Sequence, residues 1–256
     1  MVANARIIGQ SLLQVFGIVY IYVSHGFRLP NKDNYHSKVR YILPFEGKWT
    51  VVNGGVEKNF SHSWNIPTQR YAYDFLIIDE EGKTYCGDEA NPNDYYCYGK
   101  NVIAPADGKV VKVGNRCADS RILGNGKLDP KIKDIRGNFI VIKHADREYS
   151  FIGHLQPESI KVKPGQMVYC GDVIARCGNS GNTTEPHIHF HLMDGKSMFL
   201  SAGLPISFKN IKITAAESYD KYDSRPICAL PEADEWEYIG RGQAVENNNY
   251  HASEIT

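Results

Sequence analysis

Three histidines fall within five residues in Pro186-His187-Ile188-His189-Phe190-His191. On a strand alternate residues share a face, so these imidazoles point one way with neighbours about 7 Å apart. Ile188, Phe190 and Leu192 then face the core. Burying such a row is costly unless water, a carboxylate or a metal meets it. A solvated or hydrogen-bonded row suffices for a lone histidine; a His-x-His pair beside other isolated His and Asp residues points to a metal. A second position is Gly153-His154-Leu155, at the end of an expected strand. Alone it reads as structural, but its strand can lie beside the His-x-His strand. A third is Asp74, set among apolar and aromatic residues in Gln69-Arg70-Tyr71-Ala72-Tyr73-Asp74-Phe75-Leu76. A buried Asp needs a partner, either Arg70 or a cation. His62, twelve residues upstream in Ser61-His62-Ser63, is within loop reach of the same point.

A sheet can bring such distant positions together, and residues 38–208 carry the punctuation of one. Segments 101–106 and 109–113 flank the turn Ala106-Asp107-Gly108, and 138–144 and 149–155 flank Ala145-Asp146-Arg147-Glu148. Short apolar segments follow at 160–162, 167–169 and 173–177. The loop Gly178-Asn179-Ser180-Gly181-Asn182 then leads into 187–193. Strands at intervals of about 8–12 residues with Gly-rich turns predict a mainly β fold, an antiparallel sandwich or open barrel. Nothing reads as a βαβ crossover. Residues 115–135 are expected to form a polar surface insertion.

The expected organisation is an apolar segment and linker at 1–37, the β domain at 38–208, and an extension at 209–256. The last stretch of that extension, 243–256, reads as a frayed polar tail. Residues 7–23, IIGQSLLQVFGIVYIYV, follow the single positive charge of Arg6. As a helix they reach about 25 Å, short of the roughly 30 Å hydrocarbon core. Gln10, Ser11 and Gln14 interrupt the run. One reading is a signal-anchor or uncleaved export signal, giving membrane association and a cell-envelope or extracellular location. The other is a packing helix or early strand.

The chain of 256 residues has 29 Lys+Arg against 29 Asp+Glu, which argues against a nucleic-acid or polyanion binder. Six cysteines are too few for a disulfide scaffold, and none forms Cys-x-x-Cys, so a thiolate zinc ribbon is not expected. Cys86 and Cys97 bracket an insertion that a disulfide would close; the alternative is that all six stay reduced. There is no His-Glu-x-x-His, no Gly-x-Ser-x-Gly, and no lysine in Asn179-Ser180-Gly181 for a lipoyl-type carrier.

The ordered set Asn101-Val102-Ile103-Ala104-Pro105-Ala106-Asp107-Gly108, Gly137-Asn138, Gly153-His154-Leu155, Gly178-Asn179-Ser180-Gly181-Asn182 and Pro186-His187-Ile188-His189-Phe190 resembles the lysostaphin-type or LytM-type zinc metallopeptidases, peptidase family M23. The resemblance spans from about residue 45 to 193. It implies an antiparallel β fold with an active-site groove and one Zn²⁺ held by two His and one Asp. Asp74 and His189 match two of those ligands, and His154 and His187 match the family's two non-ligand catalytic histidines. Two positions depart from the pattern. Arg70 stands where the first His ligand is usual, and His62 is expected to supply that ligand from a longer loop. Ile152 replaces a common Tyr, so Tyr71, Tyr73 or Tyr149 would have to provide the hydroxyl. Arg70 is then expected to pair with a carboxylate or backbone carbonyl, and His191 to lie behind the ligands or along the groove. The implied activity is a zinc endopeptidase cutting peptide bonds of bacterial peptidoglycan with a metal-activated water. The alternative is a catalytically degenerate relative that binds peptidoglycan or regulates another cell-wall hydrolase.

Overall fold

In the computed structural model, described for residues 5–231 and 238–248, twelve strands make two antiparallel sheets. They are β1 (Trp49–Asn53), β2 (Tyr73–Leu76), β3 (Asn101–Ile103), β4 (Gly108–Gly114), β5 (Asn138–Ala145) and β6 (Glu148–Leu155). The remainder are β7 (Met167–Val168), β8 (Val173–Arg176), β9 (Ile188–Met193), β10 (Gly203–Leu204), β11 (Ile211–Ala215) and β12 (Gln243–Asn247). The large sheet has the order β11-β12-β1-β2-β9-β6-β5-β4-β7, with β10 also pairing β9; β3 and β8 form the small one. A helix, α1 (Ala5–Ser24), precedes the sheets, and a single helical turn, α2 (Tyr219–Tyr222), lies between β11 and β12.

The strands form where the sequence is β-branched or aromatic and can be covered on the pleated surface. Phe139, Ile140, Val141 and Ile142 in β5 are all buried, as is every residue of β9, which lies between β2 and β6. One apolar core includes Trp49, Phe75, Phe190 and Phe208 from the large sheet side, together with Val102 and Ile174 from the small sheet. That packing of one sheet against the other is the expected sandwich.

Two expectations change. Gln243–Asn247, read as the start of a polar tail, pairs Trp49↔Val245 with β1 and Ile213↔Val245 with β11. Its two apolar residues, Ala244 and Val245, are adjacent and too few to show a period, and only two neighbouring strands make the segment a strand. His251 lies outside the described residues. No Cys86–Cys97 disulfide forms: Cys86 is exposed, while Cys97 is buried with its thiol donating to the Pro186 carbonyl at 3.1 Å. Residues 160–162 pack on the core without joining a ladder.

Residues 35–41 are fastened to the β5–β6 hairpin by one buried carboxylate. Glu148 accepts from the Tyr35 hydroxyl at 2.5 Å, the Lys38 amide at 2.6 Å and the Tyr41 hydroxyl at 2.9 Å. Removing it strands three donors, two of them from tyrosines whose burial and proximity to Glu148 already raise their pKa values far above 10. Glu148→Ala should lower the unfolding free energy by about 2–4 kcal/mol in denaturant titrations; a loss under about 0.5 kcal/mol would show that this clasp contributes nothing.

Candidate metal centre and active site

Strand register builds the site. β9 lies between β2 and β6, and Asp74↔His189 and Gly153↔His189 are directly paired positions. Directly opposed residues share a face, so Asp74 and His189 meet, and the His189 Nδ1 lies 2.8 Å from an Asp74 oxygen. His154, one residue past Gly153, would by simple alternation point away. Its backbone instead adopts φ +58, a left-handed conformation costing on the order of 1–3 kcal/mol for a residue with a Cβ. The turn brings its ring to 4.8 Å from that of His187 and 5.6 Å from that of His189.

Both histidines outside the Asp74–His189 pair have one nitrogen committed to the backbone. His154 Nδ1 lies 2.8 Å from the Ser180 carbonyl, and His187 Nδ1 lies 2.8 Å from the Glu185 carbonyl. A carbonyl only accepts, so in each ring Nδ1 carries the proton and Nε2 keeps its lone pair. His187 Nε2 stands 3.6 Å from Asp74 Oδ1. The Ser180 anchor is rigid because Gly137 and Gly181 pack against its loop at positive φ. A Cβ on Gly137 would lie 2.0 Å from the Ser180 carbonyl oxygen. The Ser180 hydroxyl also donates to Leu155, next to His154 in sequence.

His62 arrives from the loop after Gly54-Gly55. Its Nδ1 lies 3.6 Å from Asp74 Oδ2, and its ring centre is 6.1 Å from that of His189. Arg70 is turned away from this cluster. It donates from Nε to the Trp64 carbonyl at 3.1 Å, stacks over the Trp64 ring at 5.0 Å, and donates from Nη2 to the Tyr22 hydroxyl of α1 at 3.0 Å. It thus braces the loop that presents His62. His191 is fully buried beneath His189, its Nδ1 3.1 Å from His189 Nε2 and its ring stacked on Phe151. It lies behind the cluster and does not line the cavity.

Burial sets the electrostatics. It pushes the Asp74 carboxyl up, but His62, His187 and the His189 hydrogen bond outweigh it and hold the group well below the usual carboxylate range. Burial lowers the pKa of His62, against the opposing pull of Asp74, and drives His154 and His191 well below the ordinary imidazole value. One carboxylate thus stands among imidazole nitrogens, a donor set suited to a divalent cation. The ligand atoms of His62, Asp74 and His189 all lie within 4.8 Å of one another, as do those of His154, His187 and His189. The cluster opens into a cavity of about 480 Å³.

Two contributors gave no sequence signal. The Asn53 side chain donates to Asp74 Oδ2 at 3.0 Å, from the irregular end of β1. From α1, Ile7, Ser11 and Gln14 line the same cavity. Asn-Gly-Gly at 53–55 marks a break in the strand and was the one available cue. The three tyrosines considered as substitutes for the residue at Ile152 do not line the cavity. Tyr71 and Tyr73 donate to the Pro30 and Ile239 carbonyls, and Tyr149 packs beside Lys143.

Comparison with known proteins converges on one family. Residues 94–199 match Peptidase family M23, a span that contains His154, His187 and His189 but not His62 or Asp74. An uncharacterized metalloprotease of Haemophilus influenzae is 34% identical over 92 residues, covering 36% of this chain and 16% of that protein. The peptidoglycan DD-endopeptidase ShyA of Vibrio cholerae is 34% identical over 93 residues, covering 36% and 20%. The chain thus spans a fifth or less of the length of these relatives. Among solved structures, the catalytic domain of the prophage-encoded M23 protein EnpA from Enterococcus faecalis aligns at 18% identity and a TM-score of 0.39, covering 64% of this chain and 94% of that one. The similarity to Peptidase family M23 is thus carried by residues 94–199 of this chain.

Proposed function

We propose that the protein is a zinc metalloendopeptidase acting on peptide bonds of bacterial peptidoglycan at the cell envelope. The observation that carries the reading is the convergence of His62, Asp74 and His189 at the floor of a cavity that His154 and His187 also face. In this reading His62, Asp74 and His189 hold one Zn²⁺. Three protein ligands leave a fourth tetrahedral position for water, and a bound zinc supplies a Lewis acid that lowers the pKa of that water to about 7. The substrate class follows the named activity of the Vibrio cholerae relative.

The chain's own groups have distinct tasks. Asn53 orients Asp74 by its hydrogen bond. With zinc on His189 Nδ1, the proton of that ring would sit on Nε2 and be donated to His191 Nδ1. The Nε2 atoms of His154 and His187 are the proton-accepting positions. A proton taken there gives an imidazolium whose Nδ1–H remains fixed on a carbonyl, placed to pass the proton to the leaving amine. Until it passes that proton on, the charged ring is also the cation facing the developing oxyanion. Burial lowers the pKa of His154, which favours the unprotonated ring with its Nε2 free to accept. The fixed carbonyl anchors prevent either ring from rotating out of reach.

Three outcomes are expected. His62→Ala should weaken zinc binding by at least about tenfold, measured by competition with a chromophoric chelator; full retention would remove His62 from the ligand set. His154→Ala and His187→Ala should each keep zinc but lower kcat on peptidoglycan fragments by roughly 10²–10⁴-fold. Near-normal turnover in both would remove these rings from the chemistry, whereas a wild-type protein that is zinc-replete and inert would favour the degenerate, binding-only reading. Zinc should also stay bound below pH 6.5. Ligation needs neutral imidazole, and burial lowers the pH at which His62 takes up a proton. Half-release of zinc above pH 6.5 in a chelator-monitored acid titration would contradict that.

A further inference from the structure

The helix α1 is inside out. A helix on a soluble domain normally packs its apolar stripe inward and leaves polar residues to water. Here Gln10 and Gly17 are buried with Ile21, and Gln14 lines the cavity. Leu12, Val15, Phe16, Val19, Tyr20 and Val23 instead face outward, between 47% and 66% exposed. No charged residue occurs from Ile7 to Ser24, and mean hydropathy over the helix reaches 1.6. Outward apolar faces of this kind mark contact with another apolar phase.

The inward face is fastened along the whole helix. Arg6 pairs with Asp134 at 3.0 Å, and the Ile135 amide donates to Gln10 Oε1 at 3.0 Å. Gly17 sits so close to the Phe199 carbonyl that a Cβ would lie 1.8 Å from its oxygen. Tyr22 receives Arg70, and His25 Nε2 lies 2.9 Å from Asp194. These anchors cover all of the roughly 30 Å helix, so in this arrangement it cannot leave the domain to cross a bilayer. Exposed lysines 127, 131 and 133 belong to the loop beside its first turns, along with exposed Leu128. Exposed Phe27, Arg28 and Lys32 follow its last turn. A charge-free apolar face bordered by basic residues complements a bilayer with anionic headgroups.

We propose that α1 lies parallel to the plane of an anionic lipid bilayer, with its outward residues among the upper acyl chains, and so holds the cavity against the membrane surface. Because Ile7, Ser11 and Gln14 form part of the cavity wall, the site would open beside the headgroups. The full-length protein is tested by flotation with phosphatidylethanolamine–phosphatidylglycerol vesicles. The wild type should float with the vesicles, and the combined Leu12→Gln, Phe16→Gln and Val19→Gln variant, altered only on the outward face, should lose more than tenfold in partitioning. A wild type that stays in the aqueous layer, or a variant that floats equally well, overturns the proposal. Depth is read by brominated-lipid quenching of Ile8→Trp, Phe16→Trp and Val23→Trp in separate proteins. Similar shallow depths support a helix lying in the plane, whereas a Phe16→Trp signal far deeper than the other two means a spanning helix and overturns it. Neither readout needs catalysis, so an inactive protein that binds vesicles leaves this proposal intact while the peptidase reading falls.

Discussion

Everything at the site follows from the burial of one carboxylate. Asp74 lies on a central strand, 7% exposed, directly opposite His189. A charge so placed is costly unless it is met by cations or well-aimed donors. Asn53 donates to it, His189 touches it, and the nearest nitrogens of His62 and His187 each stop 3.6 Å away. Both separations are too long for hydrogen bonds, and that of His62 suits a donor sharing an ion with Asp74. The flanking structure holds these groups in place. Arg70 braces the His62 loop, Ser180 fixes His154, and His191 with Phe151 backs His189.

Much of this was legible because strand alternation is a strict rule. The His-x-His segment reads as one face of a strand, and β9 is that strand, next to the one bearing Asp74. The β rhythm between residues 101 and 193 matches the observed strands closely, since its turns carry Gly and Asp where the chain reverses. His154 was different. Alternation alone points it the wrong way, and its left-handed backbone, which no composition reveals, restores it to the site. The strand reading put it near the His-x-His strand, and the resemblance to a family gave it a role.

What the sequence concealed depended on contacts distant along the chain. Asn53 reaches Asp74 through an irregular strand end, and β12 becomes a strand only because β1 and β11 flank it. The helix at 5–24 had two readings, a membrane segment or a packing helix. Its glutamines interrupt an apolar run, but Gln10 is a docking contact and Gln14 lines the cavity. The docked face belongs to the protein and the apolar face to something else, so features of both readings coexist in one element.

The central claim is that His62, from its own loop, completes a metal site with Asp74 and His189. Diffraction from crystals of the zinc-loaded protein on either side of the zinc absorption edge tests it most directly. The account predicts a single anomalous peak with His62, Asp74 and His189 as its protein ligands, each at about 2.0–2.2 Å. A peak bound instead by His154, His187 and His189, or no peak at full zinc loading, would contradict it.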